Sequence, residues 1–108
     1  MSLRDLKIKT GVVKRLDKEL SYYHLESTKQ QDRIDKLKQS GADDADIRKQ
    51  TEVLQETTVM IPDSKKRLEA AYKELESLLE KLQAENQEAE EVVAAQDILQ
   101  QALPQLSL

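Results

Sequence analysis

The sequence predicts an all-α protein, an elongated antiparallel three-helix bundle packed like a coiled coil, with its second helix kinked at Pro62 and its third helix shorter than the others. Three observations predict it. Leu, Lys, Glu, Gln and Ala dominate, residues that lose little on entering a helix, while Gly and Pro occur twice each and Phe and Trp are absent. Apolar residues recur in heptads along two long stretches. A strong turn signal separates those stretches. With 35% charged and 3% aromatic residues in 108, a broad globular core is not expected, and long amphipathic helices fit instead.

The first helix is expected over about 3–39. Positions seven apart read Leu6, Val13, Leu20, Ser27 and Ile34, and those three further on read Lys9, Leu16, Tyr23, Gln30 and Leu37. This stripe is strong to Tyr23 and polar at Ser27 and Gln30, so packing should loosen in the second half of the helix. "QSGADDADI" then ends the pattern. Gly41 suits the left-handed position after a helix, Asp43 or Asp44 suits the next N-cap, and Asp46 suits the first turn.

The second helix is expected over about 43–83 and contains "TTVMIPDSKKRL". Ile47, Leu54, Ile61, Leu68, Leu75 and Leu82 fall every seven residues straight through Pro62. A loop would shift that register, whereas a proline inside a packed helix removes one backbone bond and bends the axis, costing about 3 kcal/mol. One long kinked helix is therefore expected. The alternative is a break, with Pro62 at the first position of a new helix and Asp63 in its first turn.

The third helix is expected over about 87–103. In "QAENQEAEE" nothing apolar exceeds Ala, and then Val92, Val93, Leu99, Leu103 and Leu106 resume a stripe. A turn is placed near 84–87, with Asn86 as N-cap, Glu88, Glu90 and Glu91 favouring the helix dipole, and Pro104 ending the helix. Helix 3 then runs back along the C-terminal half of helix 2 and the N-terminal half of helix 1. The other half is left as a two-helix hairpin, with Ser27, Gln30, Thr51, Thr57 and Thr58 on its seam and lower local stability. No second domain is indicated.

Several function classes are disfavoured. The absence of cysteine excludes disulfides, thiolate catalysis and Cys-based zinc sites. "MSLRDLKIKTG" has no uninterrupted apolar run, so neither a signal peptide nor a membrane span is read there, and a soluble cytosolic protein is expected. A formal net charge of −4 argues against general nucleic-acid binding. Catalysis has little to work with: the sole histidine, His24, is expected to pack at the edge of the core, and no Gly-rich loop or metal-ligand spacing occurs. A rod also lacks a concave apolar pocket, so no enzyme is expected.

Charge is segregated along the chain. Residues 1–18 carry Arg4, Lys7, Lys9, Lys14, Arg15 and Lys18 against Asp5 and Asp17, while Glu dominates from Glu69 onward. A hairpin turning near Gly41 pairs positions whose numbers sum to about 82, which sets Lys14, Arg15 and Lys18 level with Lys65, Lys66 and Arg67. Such a belt is either solvated and paired with helix 3 carboxylates or a docking surface for an acidic protein. By the same arithmetic Val59 and Met60 lie level with Tyr22 and Tyr23. Apolar residues exposed beside Pro62 point to binding, and Met60 covering the kink is the structural alternative. Gly11, inside helix 1, costs up to ~1 kcal/mol relative to Ala and marks either close helix approach or a partner contact.

"KIKTGVVKRL" (Lys7 to Leu16), "VLQET" leading to "MIPD" (Val53 to Asp63) and "KRLEAAYKEL" (Lys66 to Leu75) resemble the signature stretches of the tubulin-binding cofactor A family, also called tubulin-specific chaperone A. The resemblance spans nearly the whole chain and departs in the second half of helix 1, the Gly41 turn and the C-terminal helix. It implies a folding cofactor that captures β-tubulin released from the cytosolic chaperonin and holds it for assembly with α-tubulin. It also implies no ATP, metal or other cofactor, no nucleic acid or membrane, a cytoplasmic, cytoskeleton-associated location, and other tubulin-folding cofactors as further candidate partners. Tubulin's acidity then makes Lys14, Arg15, Lys18, Lys65, Lys66 and Arg67 a candidate docking belt. Tyr22 and Met60, as apolar residues near the kink, with Pro62 at the kink itself, complete the candidate partner-binding residues. The rival expectation is a structural coiled-coil scaffold or self-associating adaptor, and both monomer and homodimer stay open.

Overall fold

The computed structural model describes residues 2–106, which form a rod with principal extents of 64 × 23 × 19 Å. Its elements are α1 (Leu3–Gln39), α2 (Asp44–Thr58), α3 (Met60–Gln83) and α4 (Glu90–Leu106).

Local chemistry sets the ends of α1. Ser2 Oγ accepts from the Asp5 N–H at 3.2 Å and the Asp5 carboxylate accepts from the Ser2 N–H at 3.1 Å, a capping box that satisfies two otherwise orphaned donors. At the other end the Ala42 N–H donates to the Leu37 carbonyl at 3.0 Å and the Gly41 N–H to the Lys38 carbonyl at 3.2 Å. That reversal requires Gly41 at φ +74°, in the left-handed region that a Cβ disfavours, as expected from the turn signal. Asp43 then takes the N-cap position of α2, with Asp44 and Asp46 in the first turn.

Where the sequence suggests one helix from 43 to 83, the regular structure is interrupted at a single residue, Val59, three before Pro62. The cause is local. Pro62 has no N–H to return to the Thr58 carbonyl, and its ring crowds that carbonyl. Val59 itself stays right-handed (φ −65°, ψ −23°), so no residue is added or dropped. Ile47, Leu54 and Ile61 are half-buried and Leu68 and Leu75 fully buried on either side of the interruption, so the heptad keeps its phase.

Two expectations for the last helix are corrected. Asn86 is not an N-cap: its side-chain Nδ2 donates backwards to the Leu82 carbonyl at 2.8 Å, closing the end of α3, and α4 begins only at Glu90. Pro104 does not end α4 but lies inside it. A proline in the last turn removes one helical bond. Beyond it, Gln105 donates to the Asp17 carbonyl at 2.9 Å and Leu106 packs on the core, contacts that hold the turn in place.

α1 packs against each of the other three helices, and α3 also packs on α4. Lys9 meets Glu74, Glu19 meets Arg67 and Gln30 meets Gln50, so numbers fall along α3 and α2 as they rise along α1. Asp17 meets Gln101 and Gln105, and Ser21 meets Gln105, so α1 and α4 rise together. Where α1, α3 and α4 meet, a single core joins Leu6, Val13, Leu16 and Leu20, then Leu68, Leu75, Leu78 and Leu79, then Val92, Ala95, Ile98, Leu99 and Ala102. Each large aliphatic side chain buried there contributes roughly 1.5–3 kcal/mol.

The α2 half is built differently. α2 buries no residue completely, and opposite it α1 buries only Gln30 and Ile34. Gln30 Nε2 lies 2.8 Å from both the backbone and side-chain oxygens of Gln50, and Gln30 Oε1 accepts from Arg33 at 3.0 Å. Thr51 and Thr57 return their hydroxyls to the Ile47 and Val53 carbonyls of their own helix. His24 is exposed, not packed at the edge of the core as the heptad suggests. The reason is length: the end of α4 lies level with Ser21, so no third helix reaches His24.

Candidate partner-binding surface

Lys14, Arg15, Lys18 and Tyr22 are all exposed on α1, and Met60, Pro62, Lys66 and Arg67 are exposed on α3, with Lys65 half-buried. Among the described residues Lys14, Arg15, Lys18, Lys65 and Lys66 form no ion pair. Arg67 differs. Its guanidinium reaches Glu19 of α1 at 3.4 Å and Asp63 one turn earlier at 3.3 Å, so its charge is shared within the fold. On a helix turning 100° per residue, Lys65, Lys66 and Arg67 point in three directions, and only the Arg67 side is brought onto α1.

Apolar exposure accompanies the cations. Val59 is 69% exposed and Met60 39%, so Met60 is not buried over the interruption. Tyr22 is 58% exposed and stands edge-on to Tyr23 with ring centroids 6.1 Å apart. Sequence reasoning missed Ile8, Leu25 and Val53, also exposed. Their signal was position: each is a large apolar residue away from the heptad stripe.

A buried acceptor site also escaped the sequence reading. Asp17, 6% exposed, receives Gln101 Nε2 at 3.3 Å and Gln105 Nε2, so two neutral amides of α4 satisfy a carboxylate that sequence alone places among surface charges. Tyr72, facing the end of α4 beside Leu103 and Leu106, has its phenol pushed above the ordinary value of 10.0 by burial and by the neighbouring Glu76 carboxylate. Between α1 and α3 an open groove is lined by Ile8, Lys9, Glu74, Leu78 and Lys81. Among the described residues no helix is long and apolar enough to cross a membrane.

These features define an elongated helical protein with exposed cationic and apolar faces and an open groove between α1 and α3. The chain belongs to the tubulin binding cofactor A family, whose model matches residues 1–99. It is 50% identical over 98 residues to a tubulin-specific chaperone A of Gallus gallus, covering 91% of this chain and 90% of the relative. Its fold matches that of the tubulin folding cofactor A of Arabidopsis thaliana with a TM-score of 0.88 at 37% identity, over 94% of this chain and 95% of the other. It also matches a structure described as a beta-tubulin binding post-chaperonin cofactor, with a TM-score of 0.83 at 31% identity, covering 96% and 99% of the two chains.

Proposed function

We propose that this protein is a tubulin-folding cofactor of the cytoplasm that binds β-tubulin after chaperonin release and holds it for assembly with α-tubulin. The observation that carries this reading is family membership across almost the whole chain, joined to the likeness to a beta-tubulin binding cofactor. An open groove and exposed cations suit capture of a protein surface better than turnover of a small molecule, so the protein acts by binding alone, without ATP, metal or other cofactor. The contact surface centres on Lys14, Arg15, Lys18 and Tyr22 of α1, with Met60, Pro62, Lys65, Lys66 and Arg67 of α3 beside it. We also read the rod as an antiparallel three-helix bundle in which α2 and α3 act as one helix bent at Pro62, the bend shaping the rod towards its partner.

Co-elution of the protein with isolated β-tubulin, with α-tubulin and with the assembled heterodimer, without nucleotide, tests this. Binding confined to β-tubulin is expected. Binding to none of them, with helicity intact, overturns it. Exposed Leu25 and Val53 beside the thinly packed α2 half favour a second reading, self-association along that seam. Light scattering that reports a concentration-independent monomer removes that second reading.

A further inference from the structure

α1 carries a second seam on the side away from the core. Ile8, Gly11, Arg15, Lys18, Tyr22 and Leu25 follow one another at alternating steps of three and four residues, the spacing that keeps side chains on one helical face. All six are exposed, and Leu6, Val13 and Leu20 lie about half a turn around the helix from them. The seam runs for roughly 25 Å at 1.5 Å per residue. Large apolar groups stand at both ends, with Ile8 and Tyr22 each 58% exposed and Leu25 52%, and two cations lie between them.

Every carboxylate in this stretch is turned elsewhere. Asp17 accepts from Gln101 and Gln105 of α4, and Glu19 meets Arg67 of α3. Arg15 and Lys18 make no ion pair among the described residues, so the middle of the seam is positive and unpaired, while Ile8 at its end borders the groove that Asp5 and Glu74 also line.

Gly11 supplies an independent observation. A Cβ built there meets nothing within 4 Å, and the residue does not have the positive φ that would call for glycine. Nothing among the described residues requires, at this position, a residue that weakens a helix interior relative to alanine. Its position is telling: between Ile8 and Arg15 it leaves a notch where another backbone can come close.

We propose that this seam docks an acidic amphipathic helix of the partner. Such a helix lays apolar residues against Ile8, Tyr22 and Leu25, comes closest at Gly11, and sets carboxylates against Arg15 and Lys18. The three-four spacing matches the ridges of a helix. A second copy of this chain presenting the same seam would oppose cation to cation. An anionic lipid surface would accept the charges but has no use for the notch. The inference deepens the tubulin reading and rests on it, the helix belonging to the surface of the captured subunit.

The test compares β-tubulin binding by the wild-type protein, Gly11→Ala, Gly11→Leu and the double variant Arg15→Glu with Lys18→Glu, alongside helicity and thermal melting. Gly11→Ala should melt higher than wild type, because its methyl group enters open space. Gly11→Leu should melt no lower than wild type yet lose at least about tenfold in affinity, as should the double variant. Wild-type affinity should fall with rising salt. Equal binding by the wild type, Gly11→Leu and the double variant overturns the seam and leaves the tubulin reading standing, whereas a wild-type protein that binds no tubulin overturns the functional reading and the seam with it. A Gly11→Ala protein that melts lower overturns the notch. Sedimentation of the wild type, but not the double variant, with phosphatidylserine vesicles overturns the protein partner in favour of a membrane.

Discussion

Gln105 donates its side-chain amide both to the backbone carbonyl of Asp17, at 2.9 Å, and to the Asp17 carboxylate, so one residue ties the last turn of α4 to the middle of α1. Among the described residues no cation pairs with this buried carboxylate, and neutral amides satisfy it. Gln105→Ala should therefore leave the buried Asp17 carboxylate with Gln101 as its one remaining amide donor and destabilise the fold by about 1–3 kcal/mol. Chemical denaturation measures the loss. An unchanged midpoint would show that water replaces the amide without penalty.

Pro62→Ala restores a donor for the Thr58 carbonyl and should carry regular helix through Val59. The expected gain is about 2 kcal/mol, a proline cost of about 3 less up to ~1 for the added freedom of the unfolded chain. Denaturation again reads it. A loss instead would place Pro62 among prolines favoured near a helix start. If β-tubulin binding survives undiminished, a bend at this point does not serve capture.

Much of this architecture was legible because apolar periodicity is a direct record of which face is buried. Leu6, Val13, Leu20, Leu68 and Leu75 declare their seam by spacing alone, and Gly41 declares its turn because the backbone there requires a positive φ. The misread positions depend on partners far away in sequence. Asn86 near a helix end can cap either the helix behind or the helix ahead, and only the position of the Leu82 carbonyl decides. Pro104 is tolerated because Gln105 finds Asp17 across 88 residues. His24 sits beside the seam, but burial there needs a third helix that stops short. For the candidate surface, the cations were plain in the sequence, whereas the capture of Arg67 by Glu19 and Asp63 was not, since it depends on how α1 and α3 are rotated.

Amide exchange should divide the rod. α2 and the part of α1 after His24 should exchange faster than the first half of α1 and the second half of α3, because few buried contacts must break to expose them. Uniform protection along α1 would show that the Gln30–Gln50 contact and Ile34 hold the hairpin as firmly as the leucine core.

Tyr72 supplies a pH dependence. Burial and Glu76 make the folded state hold the phenol proton more tightly than the unfolded chain. This contribution is fully present below the ordinary value of 10.0 and is lost as pH rises through the raised folded value. Phenolate absorbance should include one component above the ordinary range. Tyr72→Phe should remove that component and flatten the fall in stability at alkaline pH. A titration curve unaltered by the substitution would contradict the assignment.

Because α2 meets α1 with half-buried side chains and returns its threonine hydroxyls to its own backbone, parting the two helices exposes little new apolar surface and strands few polar groups. Heat capacity follows exposed apolar area, so this opening should carry only a small increment, unlike melting of the leucine-lined half. Breaking few contacts should also absorb little enthalpy, and enthalpy sets how steeply an equilibrium moves with temperature. The fraction of molecules with α2 detached should then drift gently instead of switching. The hairpin end should remain similarly available to a partner in cold and in warm cells.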